Sequence, residues 1–164
     1  MYLTTRQKWL GFAGWFLACM IVMCIGGVLG FARVMGDQSW FSQLEKPVWT
    51  PSTEYLPWVW LSMFLLMTVA VCRVWVEREE PVSRLACKFF AVGLVLNVVW
   101  MFVFFGLKNP GAAAIECVVL WLTVFATFSL FWQRFRLAGA LMLPYLICLT
   151  FAAYLNIVIW QMNA

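Results

Sequence analysis

Three polar side chains stand inside long apolar stretches, where an amide or a carboxylate is costly and usually marks a packing or binding role. Asn97 lies in Leu96-Asn97-Val98-Val99-Trp100 and Asn156 in Leu155-Asn156-Ile157, while Glu116 sits about one turn inside the fourth apolar run. An amide carries both donors and acceptors. Asn97 and Asn156 therefore read first as glue between helices and second as contacts to the polar part of a ligand. Glu116 lies toward a helix N-terminus, which favours a carboxylate electrostatically, and its plainer reading has it reaching the outer interface. Thr68, Thr123, Thr127 and Thr150 are milder, since a hydroxyl can bond back to its own helix. Around these groups the aromatic residues Trp60, Phe64, Trp100, Phe104, Phe105, Tyr145 and Phe151 recur at helical spacings. Each alone reads as packing or lipid contact. Together they suit a flat, apolar ligand with a few polar handles, such as a porphyrin or a sterol.

No catalytic set assembles from these residues. The chain has no His, which removes the commonest general base and metal ligand and with it any Ser-His-Asp or Cys-His arrangement. Paired carboxylates are absent from the apolar runs. Gly26-Gly27-Val28-Leu29-Gly30 lies within such a run and lacks the Lys-Ser/Thr of a phosphate loop. The six cysteines, Cys19, Cys24, Cys72, Cys87, Cys117 and Cys148, form no C-x-x-C pair and read as small apolar fillers. No metal site or disulfide framework is expected of them. A transporter would show ionisable residues at the midplane or broken helices. Here Pro144 alone would kink a run.

The elements that must position these residues follow from composition. The chain of 164 residues is 65% hydrophobic and 11% charged, against about 25% charged for a soluble domain. It reads as an integral membrane protein whose partners include membrane lipid. Five apolar runs reach the roughly 20 residues that span a bilayer as helix: residues 9–31, 56–76, 85–107, 112–132 and 137–160. The expected fold class is all-α, a bundle of five transmembrane helices in one domain over residues 1–164, up and down because most connections are short. The first run follows Arg6 and Lys8 like a signal peptide, but it is too long for one and lacks a small-x-small cleavage site, so it reads as a retained helix. Arg6, Lys8, Arg73, Arg78, Arg84, Lys88, Arg134 and Arg136 fall on one side of such a bundle, and Arg33, Lys46 and Lys108 on the other. This places the N-terminus in the cytoplasm and the C-terminus outside. Arg73 is expected to snorkel to the cytoplasmic surface. The short N-terminus favours a bacterial inner membrane, and no basic cluster suggests nucleic acid.

One connection is long, residues 32–55, and it holds Gly36, Asp37, Trp40, Lys46, Pro47, Trp49 and Pro51, with Trp58 and Trp60 just beyond. A loop of this length is usually functional, and its Trp content exceeds the needs of interface anchoring, for which Trp9, Trp132 and Trp160 suffice. It reads as an aromatic lid. Gly26-x-x-x-Gly30 permits a close helix approach, either inside the bundle or between two copies.

At this point the chain resembles the TspO/MBR family, the tryptophan-rich sensory or translocator proteins. The residues that carry the resemblance are Trp40-Phe41, Leu44, Lys46-Pro47, Trp49, Pro51 and Val59-Trp60, then Leu96-Asn97 with Trp100 and Phe104-Phe105, then Pro144-Tyr145, Ala152 and Leu155-Asn156. The resemblance implies a five-helix bundle, often a homodimer, that binds porphyrins such as protoporphyrin IX and, in animals, cholesterol. It implies a ligand site of Trp49, Trp60, Asn97, Trp100, Phe104, Tyr145, Cys148 and Asn156, covered by a lid that includes Trp40, Lys46, Pro47 and Pro51. A porphyrin, protoporphyrin IX or haem-like, is then the ligand, and no cofactor is required. Four departures make the site drier than is usual for the family. Cys148 replaces the Trp of Pro-Tyr-x-x-Trp, Phe64 replaces a Tyr, Ser52 a Pro and Met101 a Ser or Thr. Some members are proposed to degrade porphyrin in light through Trp residues of the pocket, and Cys148 weakens that alternative here. A scaffold whose aromatics only pack is the third reading.

Overall fold

A computed structural model describes the backbone of residues 4–34, 39–52 and 54–164, and the side chains of these residues other than 31–34. Gly36 and Asp37 of the long connection, and the side chain of Arg33, lie outside the described residues. Helix α1 spans Thr5–Val34, the short α2 Trp40–Gln43, α3 Leu56–Trp75, α4 Pro81–Met101, α5 Pro110–Arg134 and α6 Arg136–Met162. A π-helical turn, Phe102–Gly106, continues α4. Five of these helices are long and apolar enough to cross a membrane.

The helix starts follow from local chemistry. Pro81 and Pro110 occupy the first positions of α4 and α5 and Pro57 the second of α3, where a missing N–H costs nothing because no intrahelical acceptor awaits it. Asn109 caps α5 by accepting from the Ala112 N–H at 3.0 Å. Helix α4 therefore begins four residues ahead of the apolar run, through a polar first turn that hydropathy alone passes over. A single residue, Phe135, separates α5 from α6. That leaves no room for anything but an antiparallel pair, and these two helices pack along their lengths.

Helix α6 lies against both α5 and α3, α4 against α5, and α1 against α3 and α4. Phe64, Met67, Val71, Phe90, Leu94, Leu120, Phe131, Met142 and Tyr145 fill the core. The rings of Phe90 and Phe131 stack at 6.0 Å between α4 and α5. Helix α1 is peripheral and leaves Trp9, Leu17, Ile21 and Val28 more than half exposed. The glycine pair is one of its close contacts. A Cβ on either Gly26 or Gly30 would stand 3.3 Å from the Cε of Met101, so this motif brings α1 onto α4 within one chain. At the opposite end, Glu77 pairs with both Arg73 and Arg134, tying the end of α3 to that of α5. Arg73 also lies 3.8 Å over the Phe135 ring. Its expected reach toward the surface is thus shared with a cation–π contact.

Candidate functional site beneath the first connection

Two hydrogen-bonded chains cross from α4 to α6. In the first, the hydroxyl of Tyr145, fully buried, donates to Asn97 Oδ1 at 2.8 Å. Asn97 Nδ2 in turn donates to the Gly93 carbonyl at 2.8 Å. In the second, the indole Nε1–H of Trp100 donates to Asn156 Oδ1 at 2.9 Å, and Asn156 Nδ2 donates to the Pro110 carbonyl of α5 at 2.9 Å. Asn156 thus joins α6 to α4 with one end of its amide and to α5 with the other, whereas Asn97 ties α4 to α6 through Oδ1 and returns Nδ2 to its own helix. In both, oxygen and nitrogen are paired, as buried polar groups require. Trp60 of α3 lies edge-on to Tyr145 at 6.2 Å. Three helices therefore converge on one aromatic and amide cluster.

A second aromatic layer covers it. Trp100 stacks on Phe104 at 5.3 Å, and Phe104 meets Phe105 edge-on at 4.8 Å. Both phenylalanines are buried although they are neighbours in sequence. Both lie within the π-helical turn, whose wider repeat alters the angular spacing of side chains at the end of α4. Short helix α2 then lies over this pair. Trp40 meets Phe104 edge-on at 5.5 Å, and Phe41 sits 6.1 Å from Phe105. Ser39 caps α2 by accepting from the Ser42 N–H.

The remainder of the connection is pinned by three devices. Lys46 Nζ donates to the carbonyls of Phe41 at 2.6 Å, Leu44 at 2.8 Å and Ser42 at 3.2 Å, which closes the C-terminal end of α2. Burial against these groups pulls the Lys46 amine below its ordinary pKa. The Pro47 carbonyl accepts from both the N–H and the hydroxyl of Thr50, forming a tight turn. Asn163, past the end of α6, accepts from the Glu45 N–H at 2.9 Å and donates to the Glu45 carbonyl at 2.8 Å. One amide side chain therefore mimics a strand partner for the connection.

Not every expected residue joins the cluster. Trp49 stacks on Tyr154 at 5.6 Å and meets Phe151 edge-on at 5.7 Å, on the exposed face of α6. Trp58 points outward. Pro51 is half-buried in the connection, and Cys148 is a half-buried free thiol one turn beyond Tyr145. Glu116 differs from its outward reading. Both its carboxylate oxygens are enclosed by protein with no hydrogen-bond partner among the described residues. Among the described residues no three His, Cys, Asp or Glu side chains gather as a metal site.

An ordered run of indoles, amides and buried rings under a pinned loop is the sequence pattern and the geometry at once, and residues 15–161 match the model of the TspO/MBR family. The chain belongs to the TspO/MBR family. Protein CrtK of Rhodobacter capsulatus is 34% identical over 153 residues, covering 93% of this chain and 92% of that protein. The tryptophan-rich protein TspO of Chlorobaculum tepidum is 34% identical over 90% of this chain and 95% of its own length. The translocator protein of Sus scrofa is 33% identical over 87% and 86%. This TspO/MBR protein is thus an integral membrane protein. Its site contains one contributor that sequence reasoning passed over, Asn163. An amide just past a helix end is a known stop signal, but nothing in the sequence links it to Glu45, 118 residues away.

Proposed function

We propose that this TspO/MBR protein binds a tetrapyrrole, a porphyrin such as protoporphyrin IX or a haem-like relative, in the aromatic cluster between α3, α4 and α6. Binding there would serve the sensing, regulation or transport of tetrapyrrole intermediates. The observation that carries the reading is the convergence of Trp60, Tyr145–Asn97 and Trp100–Asn156 under one aromatic connection. The names of two similar proteins, a tryptophan-rich sensory protein of Cereibacter sphaeroides and the translocator proteins of mammals, agree with a role in sensing or passage.

The residues fit such a ligand in two respects. Rings of Trp60, Trp100 and Phe104 offer faces and edges to a planar macrocycle. The amides of Asn97 and Asn156 and the indole N–H of Trp100 are donors and acceptors that can turn from one another to pyrrole nitrogens or carboxylate edges. Stacking on these rings would grip a haem-like ligand by its plane. Entry requires Trp40 and Phe41 to lift from Phe104 and Phe105. The Asn163–Glu45 pair and the Trp49–Tyr154 stack hold the connection on that side. A sterol-like molecule would use the same apolar faces with fewer of the amides. We further infer a homodimer in a bacterial inner membrane, with the N-terminus cytoplasmic, from the family and from the bias of Lys and Arg toward that end of the bundle.

The test is a titration of the purified protein with protoporphyrin IX, read by quenching of Trp fluorescence. Saturable quenching is expected, and Trp60→Ala should weaken it about 3- to 10-fold, the equivalent of one lost ring contact. Quenching that rises without saturation overturns the proposal.

A further inference from the structure

The other end of the bundle carries two cavities that share their central walls. One, about 500 Å³, opens between α3 and α4 and is lined by Trp15, Trp75, Arg78, Arg84 and Lys88. The second, about 460 Å³, runs along α1 past Leu10, Gly14 and Ala18, and is bounded by the same Trp15, Trp75 and Arg78. Trp15 and Trp75 meet edge-on at 5.7 Å and form the partition between the two. Gly11 is what lets the partition stand, because a Cβ there would fall 1.9 Å from Trp75 Nε1.

The charges at the mouth are one-sided. Arg78 lies 4.3 Å over the Trp75 ring and 3.7 Å from Glu79, which holds its guanidinium across the shared rim. Arg84 reaches back to the carbonyls of Arg78 and Glu79 at 3.4 and 3.2 Å and so stiffens the turn that presents Arg78. Lys88 is exposed and has no acidic partner among the described residues. Three cations thus face one carboxylate. They stand at the junction of α3 and α4, at one end of two helices long and apolar enough to cross a membrane, and the second cavity beside them is lined largely by apolar residues.

We propose that this end of the bundle holds one anionic phospholipid, its phosphate on Arg78 and Lys88 and its two acyl chains on either side of the Trp15–Trp75 partition. A basic pocket between membrane helices, set beside the leaflet its cations select, suits an acidic headgroup. Two chambers meeting under one guanidinium match two chains meeting at one phosphate. A soluble phosphate would leave both chambers unused. The site is separate from the aromatic cluster and does not depend on the tetrapyrrole reading.

The test uses the whole protein in phosphatidylcholine vesicles doped with brominated phosphatidylglycerol or brominated phosphatidylcholine, read by quenching of Trp fluorescence. Trp15 and Trp75 lie in the partition and report local bromine. The brominated phosphatidylglycerol should quench at about fivefold or more lower mole fraction than the neutral lipid. The Arg78→Gln/Lys88→Gln variant should reduce this preference toward unity. Gly14→Leu should weaken both lipids alike without loss of helix, since a Cβ at Gly14 meets nothing within 4 Å and the side chain would fill the α1 chamber. Inorganic phosphate should not relieve the quenching. Equal quenching by both lipids, an unchanged preference in the double variant, or relief by inorganic phosphate or by protoporphyrin IX would each overturn the proposal.

Discussion

Replacing Asn156 by Leu removes the central polar link of the second hydrogen-bonded chain while keeping the volume of a buried side chain nearly constant. Two bonds disappear, Trp100 Nε1–H to Asn156 Oδ1 and Asn156 Nδ2–H to the Pro110 carbonyl, each 2.9 Å long. They are not equal in consequence. The Pro110 carbonyl opens α5 and keeps its place in the helical ladder, whereas the indole N–H has no second acceptor in the described contacts. An orphaned buried donor costs about 1–3 kcal/mol. Interhelical hydrogen bonds in membranes average nearer 0.6 kcal/mol and reach about 1.7. Asn156 is almost fully buried, so the loss should fall toward the upper part of that range, about 1–2 kcal/mol. A double-mutant cycle of Asn156→Leu with Trp100→Phe separates the pair from the packing of each side chain. Reversible unfolding in mixed micelles, followed by circular dichroism, should return a coupling of about 1 kcal/mol. Fully additive single-variant effects, with coupling under about 0.3 kcal/mol, would refute the view that these groups hold α4 to α6.

Other consequences are equally open to measurement. Asn163→Ala removes both bonds to Glu45, so amide hydrogen exchange over residues 44–50 should quicken about 5- to 10-fold while α4 stays protected. Unchanged exchange would mean that the connection is held by its aromatic contacts alone. Gly30→Val forces a side chain toward Met101 and Phe105 and should cost about 1–3 kcal/mol in unfolding without changing the oligomeric state, because the glycine pair packs α1 onto α4. Cys148 lies one turn beyond Tyr145 and offers a thiol, not an indole, at the proposed site. The bound porphyrin's Soret band should therefore bleach under illumination no faster than that of free porphyrin, and Cys148→Trp should quicken it.

The sequence exposes the spans because length and apolarity are additive over twenty residues, and the long helices lie where the apolar runs lie. It is less informative about the ends. Pro81 and the polar turn to Arg84 belong to α4 although they carry little hydropathy. The amides could be read as glue, but not their partners. That Asn97 meets Tyr145 and Asn156 meets Trp100 depends on the rotation of α6 against α4, which no local pattern records. Helix α2 is too short for a periodic signal, and the π-helical turn at Phe102–Gly106 has none. Trp49 shows the opposite case. Its place in the motif pointed to the ligand site, but nothing local records that its ring packs on Phe151 and Tyr154. Glu116, expected at the interface, is enclosed because its helix turns that face inward beside Ala113 and Cys117.

A tetrapyrrole seated in the cluster under the first connection, as proposed, must change the protection of the elements around it. Hydrogen exchange of the purified protein with and without protoporphyrin IX maps this directly. Altered protection is expected over residues 39–50, around Asn97–Phe105 and along Tyr145–Asn156, with the Trp75–Lys88 end unchanged. Protection confined to the Trp75–Lys88 end, or none anywhere at saturating porphyrin, would contradict it.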